Sequence, residues 1–454
     1  MTKISQAGSI TAPLLIIIAT FIIAIYGLLL LLTLQLDFSH RQVASEQALN
    51  IAEAGINYYR WHLSHAPEDF SGSEEHDYSD PQGTKVGKFS LQIVPPQNGS
   101  SIVTIISQGW TNTYPQIKRT ITAQYGIPSF ARYSFLQNAS SWYGAGITVQ
   151  GLIHSNNGIR MDGMNTSLVT SAKDVYTCGA ETGCYPSATK PGVWGAGHGG
   201  TDGSWQFPVP RIEFDTISFN FDDMKNHATA SGLYIGPSSY PGHHIKFAPQ
   251  GTFEVYRVNS TDYYYGYAEN DGCQRRYQRI TSETLLGTYN VSQKPIVFVE
   301  NNLWVEGTVK GKTTVVAAKF PIESSSMNIW IPNNLIFAAY DHTNSLGLIA
   351  QKDIYFSRNI PSTFRIDAAL IAQKGKIIRH GYLSGCGSST QAVKDLLVIN
   401  GTIISYEKSY WNFGSGPSSG FRQRQITYDT DLLYQPPPYF PTTGDYEFIS
   451  WAEE

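Results

Sequence analysis

Four cysteines, Cys178, Cys184, Cys273 and Cys386, are the residues of this chain with the most specific chemistry open to them. Three disulfide pairings are possible among four thiols. Cys178 with Cys184 would close a tight loop, and Cys273 with Cys386 would tie two distant segments together; this pairing is preferred. All four lie beyond a long apolar N-terminal run, on the side where disulfides persist if that run crosses a membrane. Cys178, Cys184 and His198 could also be drawn as a zinc set, but a loop staple explains the spacing more simply. No metal or cofactor site is expected.

Carboxylates and histidines offer little more. Asp222-Asp223 is the one adjacent Asp pair, and Gly197-His198-Gly199 and Arg379-His380-Gly381 resemble glycosidase elements. Polygalacturonases, however, place the Asp pair before Gly-His-Gly, and here the order is reversed. A solvated helix face accounts for Asp222 and Asp223, and His243-His244 reads as a strand pair rather than a metal site. No His-Glu-x-x-His or phosphate-loop pattern occurs. The chain is therefore expected not to be an enzyme. Its 28 tyrosines and 9 tryptophans point instead to contact surfaces, and Tyr263-Tyr264-Tyr265 is the candidate adhesive cluster.

The elements that must position these residues follow from composition and pattern. The chain has 454 residues, enough for at least two folded parts. Its net charge of -4 and pI near 6.3 argue against a polybasic nucleic-acid binder, so no nucleic-acid partner is expected. Charged residues make up 15% against a typical ~25%, while Gly, Tyr and Phe are plentiful, which is a β-rich and turn-rich balance.

From Ile4 to Leu36 there is no Asp, Glu, Lys or Arg. Residues 10–36 as a helix would reach ~40 Å, more than the ~30 Å membrane core. Beyond this run, Ala44, Ala48, Ile51, Ala52, Gly55, Ile56, Tyr59 and Leu63 share one helical face, opposite Glu46, Asn50, Glu53, Asn57 and Arg60. One continuous helix over 9–65 is predicted, ended by Pro67 and a polar linker over 66–85.

These N-terminal residues resemble the type IV pilin superfamily, most closely the PilX-type minor pilins. The resemblance rests on a short polar leader, Met1 to Gly8, a long apolar segment and the motif Ala52-Glu53-Ala54-Gly55. It implies cleavage between Gly8 and Ser9 by a prepilin peptidase. Main-subunit pilins carry glutamate at the fifth mature position, where this chain has Pro13. That departure favours a minor, tip or accessory subunit. The implied partners are other pilins or pilus-assembly proteins and the cytoplasmic membrane, with a surface glycan or protein receptor as the adhesive target.

Residues 86–128 read as a small antiparallel sheet, with strands at Lys88 to Val94, Ile102 to Ile106 and Thr120 to Tyr125. Further on, two polar turn residues repeatedly precede a β-branched or aromatic strand, as in Asn301-Asn302-Leu303-Trp304, Asn333-Asn334-Leu335-Ile336, Lys352-Asp353-Ile354-Tyr355 and Gly375-Lys376-Ile377-Ile378. Such repeats predict a right-handed parallel β-helix-like solenoid over 129–454, with Leu335, Phe337, Ile354, Phe356, Leu370 and Ile399 pointing inward. An irregular insertion is expected at about 162–295, and a Pro-rich C-terminal cap at about 428–454. The body resembles the β-helical ectodomains found behind PilX-type N-termini.

The fold class is thus mainly β, behind a long N-terminal transmembrane helix. The expected function is a pilin-like minor subunit or accessory protein of a type IV pilus or related filament, single-pass in the membrane and exposed at the surface. The alternative is a membrane-anchored extracytoplasmic protein that binds or cleaves polysaccharide.

Overall fold

The computed structural model describes residues 11–97, 100–197, 204–269, 271–413, 418–442 and 444–453. The leader, the Gly8–Ser9 junction and His198 lie outside the described residues. The chain divides into two units.

The first unit is built on α1 (Thr11–His65), a single helix of 55 residues. Its N-terminal part is long and apolar enough to cross a membrane by length and composition, with a mean hydropathy of 3.0 over the most apolar window. Leu14 to Phe38 present their large side chains outward. The few polar groups there are accommodated locally: Thr20 and Thr33 donate their hydroxyls to the carbonyls of Ile17 and Leu30, each at 2.8 Å.

The C-terminal third of α1 packs on a five-stranded sheet in the order β1 (Glu75–Ser79), β2 (Lys85–Val94), β3 (Ile102–Thr111), β4 (Lys118–Gly126) and the C-terminal strand Glu447–Glu453. Every residue assigned to the inner helical face is buried, from Ala44 to Leu63, and the five opposite polar residues are exposed. Phe89, Leu91, Val103, Ile105, Ile121 and Ala123 supply the sheet side of this core. The helix sits close because the facing residues are small. A Cβ added at Gly109 would lie 2.4 Å from the carbonyl oxygen of Ala48 and 2.4 Å from the backbone nitrogen of Ala52.

Two strands of this sheet fall in segments read as linker and cap. β1 is polar and pairs with β2 at the sheet edge, where Lys85 and Lys88 reach Asp77 and Glu75 at 2.5 and 2.6 Å. Alternating charge hid it from a hydrophobic-pattern reading. Glu447–Glu453 runs antiparallel to β4 and belongs to this unit rather than capping the coil, with Arg119 ion-paired to Glu453.

The second unit is a coil of parallel strands. Leu303, Ile329, Ile354 and Ile377 occupy one column, each paired in register with the next. Leu335, Phe337, Ile354, Phe356, Leu370 and Ile399 all lie in the interior cluster. The repeated polar turn residues hold the coils together. Asn302 Oδ1 accepts from the Asn328 amide at 2.9 Å, Asn328 Oδ1 from the Asp353 amide at 3.1 Å, and Asp353 Oδ1 from the Lys376 amide at 2.9 Å. Asn333-Asn334-Leu335 belongs to a different corner, since Leu335 pairs with Gly307 and Ile366. The 332–337 and 351–356 segments therefore occupy different corners of the coil and are not equivalent positions one coil apart.

Outward-facing positions also form apolar columns, and these need covers. One runs through Tyr234, Phe298, Val316, Ile349, Ile371 and Ile404. It is covered by α2 (Asp215–Ala230), through Phe221, Met224 and Ala228, and by Leu432 and Phe440 of the Pro-rich segment. The second runs through His244, Trp304, Trp330, Tyr355 and Ile378. A long antiparallel ribbon, Thr252–Ala268 with Gly272–Asn290, covers it with Val258, Ala268 and Ile280.

The region read as one insertion therefore alternates between coil and excursion. Val169–Ser171, Leu233–Ile235 and Gly242–Ala248 are parallel members of the coil, pairing with Leu152–Ser155, Ile296–Val299 and Leu303–Val309. The excursions include α2, the ribbon and the short hairpin Val175–Cys178 with Ala188–Pro191.

Candidate functional site

The ribbon carries the tyrosine run, and strand alternation divides it. Tyr263 and Tyr265 point outward, while Tyr264 faces the coil. Across the ribbon, Tyr263 is in register with Tyr277 and Tyr265 with Arg275. The ring centroids of Tyr263 and Tyr277 are 5.5 Å apart and those of Tyr263 and Tyr265 are 5.7 Å apart, both edge-on. Arg275 lies 4.9 Å from the centre of the Tyr263 ring and donates Nε to the Tyr265 hydroxyl at 3.1 Å. The three rings are 36%, 38% and 53% exposed for Tyr263, Tyr265 and Tyr277. Together with Arg275 they form an exposed surface of aromatic edges and one cation.

That surface is held firmly from beneath. Tyr264 accepts a hydrogen bond from Asn359 Nδ2 at 2.7 Å, and the Arg358 guanidinium sits 4.6 Å from its ring centre. Gln278 takes the Arg358 amide at 2.8 Å on its side-chain oxygen, and its backbone carbonyl takes the Trp304 indole N–H, also at 2.8 Å. Tyr267 and Gly381 exchange two backbone bonds of 2.9 Å. Gly266 has to be glycine here, since a Cβ would meet His380 Cβ at 2.7 Å. Near the ribbon tip, Cys273 is joined to Cys386.

Cys178 is joined to Cys184, so both preferred disulfides are present. The first packs with Tyr176 and Trp194 and staples the short hairpin. With both sulfurs in that bond, neither is a thiolate able to bind zinc. Asp222 and Asp223 are exposed on α2. Arg379 is buried, its guanidinium donating to the carbonyls of Ala392 at 2.6 Å and of Arg358 and Gln391 at 3.3 Å. His380 lies under the ribbon, and His244 is clamped between Glu283 at 2.8 Å and Glu306 at 3.2 Å.

On α1, Pro13 is exposed in the first turns, where missing amide donors cost nothing. Glu53 is exposed, and Gly55 is buried where a Cβ would stand 2.2 Å from Ser107 Oγ. The motif Ala52-Glu53-Ala54-Gly55 is therefore a close-packing device on the sheet, with Glu53 free of it.

Tyr277 and Arg275 escaped the sequence reading. Their signal was the alternation of Cys273 to Arg279 beyond Gly272, the second strand of a hairpin whose first strand ends in the tyrosine run. Register alone joins them to Tyr263.

No protein-family model matches this chain, and no curated protein matches it in sequence. Among solved structures, it is similar to the competence-associated pilin ComZ from Thermus thermophilus, at 14% identity and a TM-score of 0.32, covering 91% of this chain and 98% of that one.

Proposed function

We propose that this chain is a pilin-like minor subunit or accessory protein of a type IV pilus or related filament, of the PilX type. In this reading the apolar part of α1 anchors the chain in the cytoplasmic membrane and then docks beside the helices of other pilins. The coil is the extracytoplasmic cargo, serving assembly, tip display or adhesion, and the chain is not an enzyme. The observation that carries the reading is α1 itself, one unbroken helix whose first part exposes apolar side chains and whose last third is packed on a small sheet through Ala48, Ala52 and Gly55. An exposed apolar helix of this length must be covered by lipid or by like helices.

Prepilin peptidase would cut between Gly8 and Ser9. The outward rings Tyr263, Tyr265 and Tyr277 are the surface offered to a glycan or protein receptor. Mass spectrometry of sheared, purified filaments tests this: the chain should be present and should begin at Ser9. Its absence from filaments whose formation and attachment survive deletion of the gene would overturn the proposal.

A further inference from the structure

We propose that the cleft beneath the ribbon, on the side away from the exposed tyrosines, is a binding site for a neutral saccharide. The cleft measures about 390 Å³, within the ~300–1,000 Å³ range of small-molecule sites. It lies where the ribbon parts from the outer column of the coil. Trp304 and Tyr264 contribute aromatic wall, and Glu283, Glu306, Arg279 and Asn359 contribute polar wall.

One hydroxyl in this wall is incomplete. Ser357 is 5% exposed, and its hydroxyl has no hydrogen-bond partner. Buried hydroxyls are ordinarily paired, so an orphan at a cleft wall marks the place of a ligand atom.

The charges then decide the ligand class. Glu283 is met by Lys246 at 2.5 Å and by His244 at 2.8 Å. Glu306 faces the other nitrogen of His244 at 3.2 Å, and Arg279 is paired with Asp262 at 2.6 Å. Arg358 is turned to the carbonyls of Ser388 and Thr390, at 3.3 and 2.7 Å. Each charged group in the wall is already engaged, the glutamates and Arg279 by side chains and Arg358 by two carbonyls, so an ionic ligand would have to displace one of these contacts. Compensated carboxylates and a guanidinium still have spare acceptor and donor positions, and sugar hydroxyls supply both roles at once. The C–H face of a sugar ring suits an aromatic wall.

This site deepens the adhesive part of the proposed function and rests on it only for the site's place outside the membrane. The test therefore uses the full chain in detergent micelles, with no filament. Neutral hexose and N-acetylhexosamine oligosaccharides, sialylated and uronic-acid oligosaccharides, and inorganic phosphate are titrated by calorimetry and by saturation-transfer NMR. Saturable binding of at least one neutral saccharide is expected, weakened tenfold or more by Glu306→Gln and by Ser357→Ala, and unchanged by Asp222→Asn on α2. Melting curves identify any variant that fails to fold, in which case Tyr264→Phe takes its place. Binding of charged probes alone, no saturable neutral binding, or neutral binding indifferent to the cleft variants would each overturn the site. None of these outcomes bears on whether the chain enters filaments.

Discussion

Arg276 donates its Nε to Nε2 of His380 over 2.9 Å, across 104 residues of sequence. This bond places the imidazole proton on Nδ1. The ring is buried and lies against Tyr355, with centroids 5.0 Å apart. Burial first, then the positive charges of Arg276, Lys376 and Arg379, hold its pKa well below the usual histidine value. Asp271 and Glu407 face Lys376 at 3.6 and 3.0 Å, and Asp271 also faces Arg276. In the unfolded chain His380 takes up a proton near pH ~6.5. The native ring resists it, so its contribution is complete above that pH and is lost as pH falls below it. His154 and His243 are shifted downward by burial as well and act with the same sign. The thermal midpoint should drop between pH 7.5 and 5, and His380→Gln should flatten that slope. An equal slope in the variant would show that His380 is not its source.

The two disulfides should differ in weight. Cys273–Cys386 closes a separation of 113 residues and Cys178–Cys184 one of 6. Loop-closure entropy assigns the first ~4–5 kcal/mol and the second about 2 kcal/mol. Cys273→Ser with Cys386→Ser should also free the ribbon tip and expose Arg275, Arg276 and Arg279 to trypsin. The measurement is limited proteolysis with mass mapping. Cleavage in that stretch should rise strongly there and stay unchanged in Cys178→Ser with Cys184→Ser.

The inside of the coil was legible because its physics is local. Ile354 and Phe356 each follow a polar turn pair and point inward by strand alternation, and the long helix showed itself by a 3.6-residue apolar stripe. The outside was not legible. Trp330 and Tyr355 face outward at positions that a two-residue alternation gives to solvent, yet they stack with centroids 4.2 Å apart because the ribbon covers them. That cover comes from far away in sequence, and its own pattern mixes Arg, Gln and Tyr. The same holds for Phe298, over which α2 brings Phe221. Among the site residues, the tyrosine run was visible as composition, whereas its pairing with Tyr277 depended on hairpin register.

Close approach of helix and sheet in the first unit gives a sharper test than any larger core residue. Gly109→Val would drive a side chain into the Ala48 carbonyl and the Ala52 backbone, neither of which can move without lifting α1. Overpacking of this kind costs about 1–3 kcal/mol, occasionally more. Gly109→Val should lower the melting temperature of the full chain in detergent and raise amide exchange along Ala44 to Leu63. The exposed Glu53→Ala should do neither. Equal exchange in both variants would mean that α1 is not seated on Gly109.

Adhesion supplies the last prediction, and it depends on the rings being exposed but fixed. Tyr263, Tyr265 and Tyr277 contact one another and Arg275 rather than the core, so truncating them removes contact area with little effect on folding. Substitutions of this exposed kind usually shift stability by no more than about 0.5 kcal/mol. Tyr263→Ala with Tyr277→Ala should therefore leave the melting curve and the amount of chain in sheared filaments unchanged. Attachment of cells to a receptor-bearing surface should fall severalfold, as aromatic anchors commonly dominate an interface. Arg275→Lys should give a smaller loss, because a lysine keeps the charge but not the planar donor that reaches the Tyr265 hydroxyl. Attachment that stays at the parental level in the double variant would remove the outer face of the ribbon from the adhesive surface.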